Sequence, residues 1–175
     1  ATSNRLLGNI YGEYALNNNF SLRSSLGLDL NFFNEDRFVP TLTRQGQPTG
    51  SAIAATSQDL NWINENILRY NKSIGQDHTI DALLGISVQE SQNNTTLGSV
   101  TGFPFNSIPK LSAGSTKTDA TSAATSWALV SYFARASYSF KGKYVFNASF
   151  RRDGSSRFGA NTQYGNFPSV SAAWN

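Results

Sequence analysis

Cysteine is absent from the 175 residues, which excludes disulfides, thiolate zinc sites and cysteine nucleophiles. Charge is scarce. Asp, Glu, Lys and Arg make up 14% of the chain, against roughly 25% in a typical soluble domain. Long apolar runs are missing too: no segment reaches the run of about 18 apolar residues that marks a membrane helix. The net charge is +3, but the basic residues are scattered. Apart from Arg151-Arg152 there is no cluster of the nucleic-acid kind, so no nucleic-acid partner is expected. The opening ATSNRLLGN lacks a charged n-region followed by an apolar h-region, so no signal peptide is expected within it.

What is present is interleaved. Hydrophobic residues account for 39% of the chain, and they alternate with Asn, Ser, Thr and Gly. Alternation with a period of two marks strands. Seven such segments are predicted, at about 5–16, 20–33, 59–72, 78–90, 127–141, 144–152 and 167–175. The second is the cleanest, with Phe20, Leu22, Leu26, Leu28, Leu30 and Phe32 on even positions and Arg23, Asp29 and Asn31 on odd ones. The others keep the same parity, as in Ile80, Leu84 and Ile86, or Tyr144, Phe146 and Phe150. The third is weaker, because Asn64 and Asn66 interrupt the apolar parity. Facing residues of a hairpin share one face of the sheet. One parity kept throughout therefore predicts one sheet with one continuous apolar face.

The connections alternate in kind. Asn17-Asn18-Asn19, Ser73 to Asp77 and Lys141-Gly142-Lys143 are short, whereas 34–58, 91–126 and 153–166 read as long polar loops. Short turns at one end and long loops at the other are the arrangement of outer-membrane barrels. Aromatics gather toward both strand ends, as the two membrane interfaces require. Tyr14, Phe20, Tyr70, Tyr138 and Tyr144 lie by the short turns, and Phe32, Trp62, Tyr132, Phe150 and Phe167 toward the loops. An antiparallel, up-and-down transmembrane β-barrel of the all-β class is expected, its apolar face on membrane lipid and its polar face on the lumen. A seven-stranded open sheet would leave two bare edges, so 1–175 is expected to be one partial barrel domain completed by further strands.

The run SYFARASYSFKGKYVFNASFRRDGSSRFGANTQYGNFPSVSAAW at 131–174 resembles the SusC/RagA family of TonB-linked outer-membrane proteins of Bacteroidetes. The resemblance rests on Ser131-Tyr132-Phe133, Arg135, Tyr138 and Tyr144, then on Arg151 through Gly159, Phe167 through Ser171, and Trp174. Residues 60–90 are similar but less distinctive, and 1–58 agree in pattern only. The resemblance implies a 22-stranded, plugged barrel, integral to the bacterial outer membrane (a TonB-dependent receptor). It implies import of large nutrients, glycan or peptide fragments, driven through TonB, with a SusD-like lipoprotein as partner. The family's plug and TonB box have no counterpart in these residues, and TonB would act through a region preceding them. The alternative reading is a soluble or surface all-β glycan-binding module without a transport role.

No enzyme activity, cofactor, metal site or catalytic residue is expected. His78 is the single histidine, beside Asp77 at a short turn, and a metal needs more ligands than that. Glu13, Asp29, Glu65 and Asp81 share the odd parity with Arg23, Arg69 and Arg135. A glycosidase-like carboxylate pair is conceivable there, but pairing across strands or with a plug explains the same charges. In the motif Arg151, Arg152, Asp153, Gly154, Ser155, Ser156, Arg157 and Phe158, the arginines could bind an anion. The structural reading has Asp153-Gly154 forming a turn and Asp153 accepting hydrogen bonds from arginines. Phe103, Phe105, Trp127 and Tyr164 are candidates for stacking on substrate or meeting a lid protein, and loop packing would use them equally.

Overall fold

Successive side chains on extended backbone point to opposite faces, so each alternating segment has one way to hide or expose its apolar half. The computed structural model describes residues 1–174. It contains β1 (Thr2–Ala15), β2 (Phe20–Val39), β3 (Ser51–Ile74), β4 (His78–Thr101), β5 (Thr116–Phe140), β6 (Tyr144–Ser155) and β7 (Tyr164–Trp174). They form one seven-stranded sheet in the order β1-β2-β3-β4-β5-β6-β7. Each strand pairs with its neighbour in sequence, an antiparallel up-and-down arrangement in which, for example, Tyr132 faces Arg152 and Arg152 faces Asn166.

The three short turns fall where the sequence places them. Asn17 Oδ1 accepts hydrogen bonds from the amides of Asn19 (2.9 Å) and Phe20 (3.0 Å), the Asx geometry that makes Asn a turn residue. At Lys141 and Gly142 φ is 53° and 64°, and the Lys143 amide donates to the Phe140 carbonyl at 3.0 Å. Two consecutive positive φ values define the type I′ turn, whose twist matches that of the strands it joins; glycine meets that demand without strain.

The long loops are shorter than expected. Strand continues through 34–39, 51–58, 91–101, 116–126, 153–155 and 164–166, leaving connections at 40–50, 102–115 and 156–163. Segments such as TKTDATSAATS lack an apolar face, which is why they read as loops. In the structure they are exposed on both sides, so no face needs to be greasy and inter-strand hydrogen bonds alone set the conformation.

Contacts divide the chain into two units. The first comprises Ala1–Leu7, Asp29–Asn61 and Ser91–Ser126. Within it Ala52, Val100 and Phe103 are buried, with Phe38, Leu111 and Ala113 packed around them. Phe38, Ala52 and Val100 carry the apolar parity, and the connection after β4 supplies Phe103 and Leu111 to cover them. Phe38 and Phe103 meet edge to face at 5.0 Å. The two connections are also tied together: Asn106 Oδ1 accepts from the Thr41 amide at 3.0 Å, Asn106 Nδ2 donates to Thr41 Oγ1 at 3.0 Å, and the Phe103 amide donates to the Thr49 carbonyl at 2.7 Å.

The second unit comprises Gly8–Leu28, Trp62–Glu90 and the chain from Trp127 on. Its apolar parity is uncovered: Leu22, Leu26, Leu84, Tyr132, Phe146 and Phe150 are all exposed. The two asparagines that break this parity in β3 have partners. Asn66 Nδ2 donates to Asn64 Oδ1 at 2.7 Å, and Asn64 Nδ2 donates to the Ser25 carbonyl at 3.0 Å.

Candidate functional site

The odd-numbered face carries cross-strand polar chemistry. In the first unit, Arg5 grips Asp29 through both Nε (2.8 Å) and Nη2 (2.7 Å), the bidentate fork that suits guanidinium to carboxylate. Ser3 Oγ donates to Asn31 Oδ1 at 2.9 Å, and Asn31 Nδ2 donates to Asp59 Oδ2 at 3.3 Å. Asn93 Nδ2 then donates to Asp59 and to Ser57 Oγ. This polar row crosses β1 to β4. Asp29 and Asn31 are legible in the sequence as odd-face residues of an alternating segment, and the shared odd parity of the rest is the signal that extends the row to them.

In the second unit the Arg23 guanidinium lies 4.3 Å from the centre of the Tyr11 ring, and Asn71 donates to Asp81. Arg69, Tyr70, Asn71, Asp81 and Arg135 line a cleft of about 640 Å³ beside the Asn17–Asn19 turn. Asp29 and Asp81 are thus engaged by Arg5 and Asn71 rather than by a second carboxylate. His78 sits at its turn with Nδ1 2.6 Å from Tyr138 Oη, its ring 5.0 Å from Phe140.

The arginine-rich motif is built into strand. β6 runs through Asp153 and Gly154, which pair with Ser131 and Val130. The turn expected at Asp153-Gly154 lies instead at Ser155–Phe158, where the Phe158 amide reaches the Ser155 carbonyl at 3.4 Å. Pairing with β5 and β7 on both sides holds Asp153-Gly154 extended. The expected partner of Asp153 is present: both of its oxygens accept from Arg151 Nε, at 2.7 and 2.9 Å. Arg151 Nη2 also donates to Ser131 Oγ at 3.2 Å, and Ser131 is 1% exposed. Ser156 ends the β5–β6 ladder by accepting from the Ala128 amide through Oγ at 2.8 Å and donating its own amide to the Ala128 carbonyl at 2.9 Å.

Known proteins share this pattern over nearly the whole chain. A TonB-dependent receptor of Formosa agariphila, P26, is 33% identical over 98% of the chain. The TonB-dependent receptor SusC of Bacteroides thetaiotaomicron is 28% identical over 99% of it. Among solved structures, that of the RagAB peptide transporter superposes over 97% of the chain with a TM-score of 0.86 and 25% identity. A closed-closed state of the RagAB peptide importer matches with a TM-score of 0.92 at 24% identity.

The chain is a segment of a SusC/RagA-like TonB-dependent receptor.

It spans 18% of the length of the Formosa receptor and 17% of SusC, and its sheet corresponds to part of such a receptor's barrel. No family model matches it. In this SusC/RagA-like segment the four loop aromatics have distinct surroundings. Phe103 is 5% exposed inside the buried cluster, so its place is explained by packing. Phe105 is exposed. Trp127 lies under the Arg157 guanidinium at 5.3 Å. Tyr164 lays its ring over Gly154, so closely that a Cβ there would collide with it, and the Arg152 guanidinium stands 4.6 Å above the same ring. The glycine of the motif is therefore a seat for an aromatic ring. Gly154→Ala should push Tyr164 off its strand and destabilise the full-length receptor by about 1–3 kcal/mol, as overpacking does. Urea unfolding of the detergent-folded protein measures it, and an unchanged midpoint would refute the seat.

Proposed function

We propose that the chain forms part of the wall of an outer-membrane importer for large nutrients, glycan or peptide fragments. The observation that carries this reading is the uncovered apolar parity of the second unit, which no water-facing sheet needs and a lipid-facing one requires. The polar odd face then lines the lumen and meets a plug. The relatives are TonB-dependent receptors, and RagAB is a peptide importer, which supports import as the role and peptide as one class of cargo. A SusD-like lipoprotein would close the mouth on the loop side, and TonB would act from the turn side through a region outside 1–175. The single described sheet gives the alternative glycan-binding sandwich no second layer to cover its apolar face.

Sidedness gives the first test. With Ser115→Cys and Gln76→Cys placed separately in the full-length receptor, an impermeant thiol reagent should label the first on whole cells and the second only after lysis. The reverse result would invert the orientation. Cargo gives the second. Cells carrying the receptor should accumulate a fluorescent oligosaccharide or peptide, and accumulation should stop when the proton gradient is collapsed. Uptake of neither class, or uptake indifferent to the gradient, would overturn the importer reading.

A further inference from the structure

The two arginines of the motif have opposite surroundings. Arg151 projects from the odd face and is neutralised by Asp153. Arg152 projects from the even face, is exposed, and is in none of the ion pairs among the described residues. Its guanidinium lies instead over an aromatic ring, that of Tyr164 at 4.6 Å. Tyr132 faces it across the β5–β6 ladder, and Phe150 precedes it on the same face of β6. Tyr132, Phe150 and Tyr164 are 47%, 46% and 50% exposed, so this face of the cation's surroundings opens outward.

We propose that Arg152 binds the phosphate of an anionic lipid headgroup in the leaflet on the loop side, with Tyr132, Phe150 and Tyr164 as its apolar collar. The inference rests on the membrane reading above. Along β6, Arg152 lies about 27 Å from Tyr144 at the turn end. With a strand tilt of 35–45° that is roughly 20 Å of height, close to the far edge of an apolar band about 25 Å tall. A cation at that level, with no carboxylate beside it, has headgroup phosphate as its natural counterion. Stacking on Tyr164 occupies one face of the guanidinium and leaves its in-plane N–H donors free for a bidentate contact with phosphate oxygens. Gly154 completes the arrangement: without a side chain it lets the ring lie flat, and the ring fixes the plane of Arg152.

Full-length receptor in detergent, titrated with a bisphosphorylated glycolipid and followed by native mass spectrometry, tests this. Arg152→Gln should weaken retention of the lipid by about tenfold, the loss expected for a charge-assisted pair. Arg152→Lys should fall between, because it keeps the charge and loses the fork, and Tyr164→Ala should weaken retention with the charge intact. The same glycolipid stripped of phosphate should bind the unaltered receptor as weakly as the phosphorylated one binds the Gln variant. Equal retention by Arg152→Gln, equal binding of the dephosphorylated lipid, or displacement by millimolar inorganic phosphate (which would mean a free-anion site) would each overturn the proposal. A receptor that is damaged by a cation elsewhere on the even face yet indifferent to Arg152→Gln would retire this inference alone. Tolerance of both would retire the membrane reading with it.

Discussion

Leu26→Arg in the full-length receptor should lower stability by about 2–4 kcal/mol, the range for a cation at the bilayer midplane of an outer-membrane barrel. Leu26 is on the even face and 46% exposed, so no neighbouring side chain would shield the charge. It lies about 20 Å along β2 from Phe20, which at barrel tilt is near the middle of the apolar band. Its neighbour Ser25 provides the contrast. Ser25 occupies the odd face, where Arg23 and Asp29 already stand, so Ser25→Arg should cost no more than the roughly 0.5 kcal/mol of an ordinary wet-surface change. Reversible urea unfolding in lipid vesicles or detergent distinguishes them. Equal tolerance of both substitutions would mean that the even face does not meet hydrocarbon.

The second large effect concerns residues 1–175 expressed alone, which should not be a compact soluble monomer. The exposed surface is 12049 Å², whereas a compact monomer of this mass exposes about 8,400 Å². Among the described residues the buried hydrophobic ones number three, Ala52, Val100 and Phe103, far too few to offset the ordering entropy of a chain this long. β1 and β7 pair on one side only, and an unpaired edge recruits further strands. The stretch YVFNASF in β6 is β-rich and uncharged, which favours pairing with copies of itself. Size-exclusion chromatography without detergent should give large species or none, and detergent or the remaining strands should rescue the fold. A monodisperse 19.0 kDa species with a cooperative thermal transition would contradict this and return the soluble sandwich to favour.

Legibility from sequence divides along a physical line. Where one face is greasy, as in Phe20 to Phe32, period two marks the strand and the parity marks the face. Where both faces are wet, as in Thr116 to Ser126, nothing alternates, and the strand exists because a partner backbone lies beside it. Asp153-Gly154 misled for a related reason: Asp-Gly is a turn signal in isolation, and pairing on both sides overrides it. Phe103 was visible as an aromatic in a loop, but its burial depends on Phe38, Ala52 and Val100, which come from three different strands.

The sequence by itself determined the class of the sheet, the short turns, the identity of the apolar parity and the family, because these depend on local alternation, turn chemistry and an ordered motif. The tertiary structure decided how far the strands run, which loop residues are packing, and that Arg151 and Arg152 face opposite ways to opposite fates. Those outcomes depend on which residues stand opposite one another across strands, and register is a property of paired backbones that no single segment carries.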